Sequence, residues 1–95
     1  MEEGKRLIMF TGKECDHCHA NEPIVEQVEK ELNVKIERIE VWHNAENAAF
    51  LEKIDKNEDG SVFCGGIPFF LNEVTGKKLC GPQKLEKLKE WVQGK

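Results

Sequence analysis

The spacing of apolar residues changes repeatedly along the chain, and each change marks an element. Leu7, Ile8, Met9 and Phe10 stand in succession within Lys5–Thr11, the look of a strand buried on both faces. Gly12, Lys13 and Glu14 make a short turn. Ile24, Val25, Val28 and Leu32 then recur at helical spacing, which predicts a helix over roughly His17–Leu32, closed by Asn33. Pro23 inside it removes a donor and is expected to kink the preceding turn. In Val34–Trp42 apolar and polar residues alternate, which reads as a second strand, although the apolar parity shifts near Glu37–Arg38 and leaves room for a bulge.

Asn44 is a suitable N-cap for a second helix carrying Ala48, Phe50, Leu51 and Ile54 on its inner side. Lys56–Gly60 is polar and loop-like. A strand over Ile67–Asn72 is expected to turn at Thr75-Gly76 into Lys77–Cys80. Gly81-Pro82 suits the start of the last helix, with Leu85, Leu88, Trp91 and Val92 as its stripe and Gly94 at its end. The order is βαβαββα, an α/β domain spanning 1–95 without repeats. Two strands joined by a helix should be parallel, and the last two should form an antiparallel hairpin.

The chemistry concentrates at Cys15-Asp16-His17-Cys18, where the first strand gives way to the first helix. Two cysteines three apart at such a junction can close a disulfide and open it again. A thiolate is the attacking species, and a free thiol with a pKa of about 8.5 is mostly protonated at neutral pH. The unpaired N–H groups and partial positive charge of a helix N-terminus favour the thiolate. Cys15, at or just before the first turn, is the expected nucleophile. Cys18, one turn in and more buried, is the expected resolving thiol. His17 adds positive charge when protonated, and Asp16 opposes it.

Composition narrows the field. Charged residues make up 34% and hydrophobic residues 39% of the chain, within the range of soluble globular proteins. The net charge of −4, with no Lys/Arg cluster, argues against a nucleic-acid partner. No apolar run approaches a membrane span, and MEEGKR lacks the apolar segment of a signal peptide. The expectation is therefore a cytoplasmic monomer, in a compartment where a CxxC is more often catalytic or metal-binding than structural.

Taken together, the chain resembles the thioredoxin superfamily over nearly its whole length. The CxxC follows a core strand, Pro23 lies five residues after Cys18 where thioredoxins carry a helix proline, and Gly66-Ile67-Pro68 matches the motif that ends in the family's cis-proline. The resemblance implies a thioredoxin fold, a four-stranded mixed sheet flanked by helices, in a version closer in size to glutaredoxin. It implies thiol–disulfide oxidoreductase activity on protein or small-molecule disulfides, no cofactor, and a separate reductase or thiol donor. It also implies a cis peptide bond at Pro68, which would pack beside Cys15 and leave backbone groups near Ile67 free to pair with an extended substrate segment. There are departures from the pattern. Glu14 replaces the tryptophan before the first cysteine, and Met9 stands where thioredoxins bury an acid. The histidine before the second cysteine is similar to that of periplasmic disulfide oxidases, which points to a more oxidising potential than thioredoxin's. Cys80-Gly81-Pro82-Gln83 lacks the Gly-Gly and acid segment with which glutaredoxins bind glutathione.

Other readings of the same residues compete. Cys15-Asp16-His17-Cys18-His19 also fits the c-type haem motif, which would need export and a second axial ligand. Cys15, Cys18, His17 and His19 could serve a metal or an Fe–S cluster, but Cys64 and Cys80 form no second closely spaced pair. A binding module that keeps the fold without turnover is the third alternative. Asp55–Gly60 imitates the start of an EF-hand, yet Gly66 occupies the position that requires a bidentate Glu, so calcium is rejected. Cys64 and Cys80 are read as small apolar fillers rather than a disulfide, because the hairpin sets Cys80 opposite Pro68 or Phe69 and not residue 64. Trp42 and Trp91 are expected in the core and His43 on a surface loop.

Overall fold

A computed structural model describes residues 6–94, with seven elements in the order β1 Leu7–Thr11, α1 Asp16–Leu32, β2 Ile36–Glu40, α2 Ala45–Ile54, β3 Phe69–Asn72, β4 Lys78–Cys80 and α3 Leu85–Gln93. Lys5, placed in the first strand from sequence, lies outside the described residues. The strands form one sheet in the order β2-β1-β3-β4. β1 and β2 are parallel, whereas β1 with β3 and β3 with β4 are antiparallel.

Alternation along the central strands divides the core in two. Met9, Ile36 and Phe70 face α1 and α3, where they pack with Cys18, Val25, Val28, Leu88 and Trp91. Ile8, Phe10, Ile39, Phe69 and Leu71 face the other way, onto Ala48, Phe50, Leu51 and Ile54 of α2. β1 and β3 are thus covered on both faces, which is why each reads as an unbroken apolar run.

The bulge for which the parity shift left room is absent from β2, since its pairing with β1 runs residue by residue from Leu7↔Ile36 to Thr11↔Glu40. The parity shift has another cause. Ile36 and Arg38 share the α1 face, and Ile39 occupies the other. Arg38 stands where an apolar residue would otherwise be, and its guanidinium is paired with Glu22 at 2.9 Å and Glu29 at 2.8 Å, both on α1. Burial by itself would raise the pKa of Glu29, but hydrogen bonds from Arg38 and the Ile36 N–H outweigh it and hold the carboxyl below its ordinary value.

α1 runs without interruption through Pro23 and ends at Asn33, whose φ of 52° lies in the left-handed region that asparagine tolerates. Asn44 caps α2, its side chain accepting the Asn47 N–H at 3.0 Å. α3 begins later than its proline suggests: Lys84 is the N-cap and Leu85 the first helical residue. The segment before it is tied elsewhere, with the Gly81 N–H donating to Pro68 O at 2.8 Å and the Gln83 N–H donating to Asn21 Oδ1 at 3.0 Å. Among the described residues, no helix is long and apolar enough to cross a membrane.

Candidate active site

Cys15 is the N-cap of α1. Its N–H donates to Gly12 O at 3.0 Å, which closes the turn after β1, and its Sγ accepts the Cys18 N–H at 3.2 Å. A sulfur at this position receives an N–H that the helix itself leaves without a partner, so negative charge on Cys15 is stabilised by the backbone. Cys15 and Cys18 are joined as a disulfide with Cα atoms 5.2 Å apart. Cys18 is fully buried and Cys15 only 4% exposed. Asp16 and His17, in the first turn, are exposed to solvent. The neighbouring His19 donates from Nε2 to Lys13 O at 2.6 Å and so braces the turn.

The approach to the site is held by Glu40 at the end of β2. Its carboxylate accepts the N–H groups of Lys13, Trp42 and His43 at 3.0, 3.1 and 2.8 Å. Slight burial would raise its pKa, but these bonds prevail and keep it below the ordinary carboxylate range. His43, exposed in the loop as its sequence context suggests, pairs with Glu14 at 2.6 Å. Trp42 is not a core residue: it is 53% exposed. One face of its ring lies over Gly12, where a Cβ would come within 2.5 Å of Trp42 Cδ2 and 2.8 Å of Ile67 Cδ1. Glycine at position 12 is what lets the indole and Ile67 close over the turn. Trp91, by contrast, is 2% exposed and edge-on to Phe70, within the core.

Gly66, Ile67 and Pro68 run up to β3, and the Ile67–Pro68 peptide bond is cis. Pro68 is buried and Gly66 exposed, while Ile67 packs against the cluster that contains Cys15 and Cys18. Among the described residues, the N–H and C=O of Ile67 make no hydrogen bond. Beside it lies an apolar groove of about 370 Å³ lined by Val41, Trp42, Ala48, Leu51 and Val62. A second groove, of about 360 Å³, lies beside His17 and includes Ile24 and Pro82. The fold thus brings the cysteine pair and Ile67 together, next to an open backbone edge and an apolar surface.

Three features escaped the sequence. Asn21 is 3% exposed and makes a reciprocal pair of bonds with the Gln83 backbone, which fixes α1 to the lead-in of α3 one turn beyond the cysteines. Asp55 is 8% exposed, and its two carboxylate oxygens accept the N–H groups of Cys64 at 2.6 Å and Gly65 at 2.7 Å. The third corrects an expectation: Cys64 and Cys80 are joined as a disulfide, with Cα atoms 5.5 Å apart. Cys80 does lie opposite Phe69, as the hairpin register requires. The segment before Pro68, however, folds back under the pull of Asp55 and the left-handed turn at Gly65, and carries Cys64 to the same place. Among the described residues, no three His, Cys, Asp or Glu side chains converge as metal ligands would, so Cys15, Cys18, His17 and His19 do not gather around one point.

No protein-family model and no curated protein sequence matches the chain. Among solved structures it is similar to the crystal structure of a mutant of a thioredoxin-like protein, at 22% identity and a TM-score of 0.60, covering 94% of this chain and 96% of that one. A mixed four-stranded sheet between α1 and α3 on one face and α2 on the other, with a CxxC pair opening the first helix, together with that match over almost the full length, shows that the chain has a thioredoxin-like fold.

Proposed function

We propose that the protein is a thiol–disulfide oxidoreductase of the thioredoxin superfamily, acting in the cytoplasm on protein or small-molecule disulfides and served by a separate reductase or thiol donor. The fold and its CxxC pair support a redox role in general. The observation that carries the finer reading is Cys15 at the N-cap of α1, with the Cys18 N–H on its sulfur.

In the reduced protein Cys15 loses its proton and attacks one sulfur of the substrate disulfide. A Cys15–substrate disulfide forms, and the other substrate sulfur leaves with the electron pair and takes up a proton. Cys18 then gives up its proton and attacks Cys15 Sγ, which closes Cys15–Cys18 and releases the second substrate thiol. The substrate's extended segment pairs with the open N–H and C=O of Ile67, and its apolar side chains enter the groove beside Trp42. Met9 faces this cluster in place of a carboxylate. The Cys18 proton therefore passes to the departing substrate sulfur or to water rather than to a buried acid.

Equilibrating the folded protein in graded glutathione buffers and alkylating the free thiols tests the reading. Cys15–Cys18 should open and close reversibly, and the wild type should reduce a disulfide substrate catalytically while Cys15→Ser does not. Full activity in Cys15→Ser, or a pair that never opens in the folded protein, would overturn it.

A further inference from the structure

The Cys64–Cys80 bridge stands apart from the CxxC centre. Cys15 and Cys18 lie in the cluster facing α1 and α3, whereas Cys64 packs against the cluster facing α2. The sheet separates the two pairs. We infer that Cys64–Cys80 is a second thiol–disulfide centre, open to external dithiols, whose state sets how firmly the Gly66–Ile67 edge is held. The second half of this inference rests on the proposed role of that edge in binding substrate.

Three observations carry it. The first is access: Cys80 is exposed on β4, the edge strand of the sheet. The stretch Thr75–Lys84 around it carries Lys77, Lys78 and Lys84 and no carboxylate, a setting that favours an incoming thiolate.

The second is that both cysteines are positioned by bonds independent of the bridge. Asp55 holds the Cys64 and Gly65 N–H groups, and the Phe63 N–H donates to Asp55 O at 3.3 Å. On the other side, Gln83 Nε2 donates to Cys80 O at 2.9 Å, and Gly81 N–H to Pro68 O at 2.8 Å. Opening the bridge leaves the sulfurs near each other and the sheet intact, so the pair can reclose.

The third is position. Cys64 Sγ lies 3.5 Å from Gly66 O, immediately before the Ile67 edge, and that edge has no ladder bonds of its own. Once the bridge is open, the edge is held before it by the Asp55 clamp, after it by the Gly81 N–H on Pro68 O, and by the packing of Ile67, with no covalent tie.

The exchange is a two-electron step. A thiolate of the dithiol attacks the sulfur of Cys80, the exposed residue of the pair, and forms a disulfide with it. The Cys64–Cys80 bond breaks, and its electron pair goes to Cys64 Sγ, which takes a proton from solvent. The second thiol of the reductant loses its proton and attacks its partner sulfur. The reductant becomes a disulfide, and Cys80 is released to take up a proton. The dithiol is oxidised and the pair reduced.

The test uses the full chain with Cys15→Ser and Cys18→Ser, so that only the second pair reports. The protein is equilibrated without denaturant in graded mixtures of reduced and oxidised dithiothreitol, alkylated and weighed, with near-UV circular dichroism recording the fold. The expected result is reversible opening with the fold retained, and amide exchange at Cys64 and Gly65, whose N–H groups Asp55 holds beside the edge, faster by about tenfold or more when the pair is open. A pair that stays closed until denaturant is added, that opens only with loss of the fold, or that opens without faster exchange overturns the inference. These readouts hold even if the CxxC proves inactive.

A further arm addresses the substrate edge. Cys64→Ser with Cys80→Ser, in the background of an intact CxxC, should raise KM for a peptide disulfide several-fold at unchanged kcat. An unchanged KM would contradict the link to that edge. Should this variant fail to fold, Cys64→Ala with Cys80→Ala, which keeps the CxxC untouched, gives the same comparison.

Discussion

Asp55 is the side chain on which the loop before Pro68 depends, and replacing it should show a cost that few other single changes on this face would. Its carboxylate accepts two backbone N–H groups at 2.6 and 2.7 Å while only 8% exposed. A hydrogen bond to a charged acceptor contributes about 1.5–3 kcal/mol. Gly65 is exposed and Cys64 half-buried, so water recovers part of that loss when the acceptor is removed. Asp55→Ala should therefore destabilise the disulfide-intact protein by about 2–3 kcal/mol rather than the full sum.

The bridge restrains the same loop. Its ends are 16 residues apart, and closing a loop of that length contributes about 3 kcal/mol through the unfolded chain. Asp55 and the bridge should consequently be non-additive: in a Cys64→Ser/Cys80→Ser background the loop is already loosened, and Asp55→Ala should cost less by about 1 kcal/mol. Urea unfolding of the four proteins, followed by tryptophan fluorescence and far-UV circular dichroism, measures both quantities. A cost below about 0.5 kcal/mol for Asp55→Ala, the size of an ordinary surface change, would refute the clamp. Full additivity would show that the carboxylate and the bridge hold different things.

Two other changes probe the frame around the site. Arg38→Ala leaves Glu22 and Glu29 facing β2 without their partner and should destabilise by about 1–2 kcal/mol at neutral pH. Because the Glu29 pKa is lowered in the fold, its contribution is complete above the unfolded value near 4.5 and is lost as pH falls through the folded value; the gap between wild type and variant in urea unfolding should narrow below that point. Gly12→Ala places a Cβ 2.5 Å from the Trp42 ring and 2.8 Å from Ile67, so the indole must move; a cost of about 1–3 kcal/mol and a red-shifted Trp42 emission, isolated in a Trp91→Phe background, are expected.

Much of the fold could be read from spacing because β1, α1, α2 and α3 each obey a local rule that a few neighbouring residues express. The readings that failed are those in which a distant residue decides. The parity shift in β2 looks like a bulge unless Glu22 and Glu29, 16 and 9 residues away, are known to receive Arg38. Trp42 looks like core, yet it closes over Gly12 while remaining more than half exposed. For Cys64 and Cys80 the strand register was sound, but nothing local says that a buried Asp55 will bend residues 63–65 back onto β4. An aspartate at a helix C-cap followed by a glycine-containing loop is a faint signal that its carboxylate serves loop amides, and Asp55 with Gly65 and Gly66 carries it. The CxxC needed no such help, since both cysteines sit on the helix whose start defines them.

The most direct test of the central claim is to identify which sulfur bonds to substrate. Reduced Cys18→Ser, with Cys64–Cys80 left closed, would be mixed with a peptide disulfide, quenched in acid and mapped by tandem mass spectrometry. A mixed disulfide on Cys15, formed faster than on a free peptide thiol at neutral pH, is the expected result. Cys15 left unmodified, or modified no faster than a free peptide thiol, would contradict the assignment of Cys15 as the nucleophile.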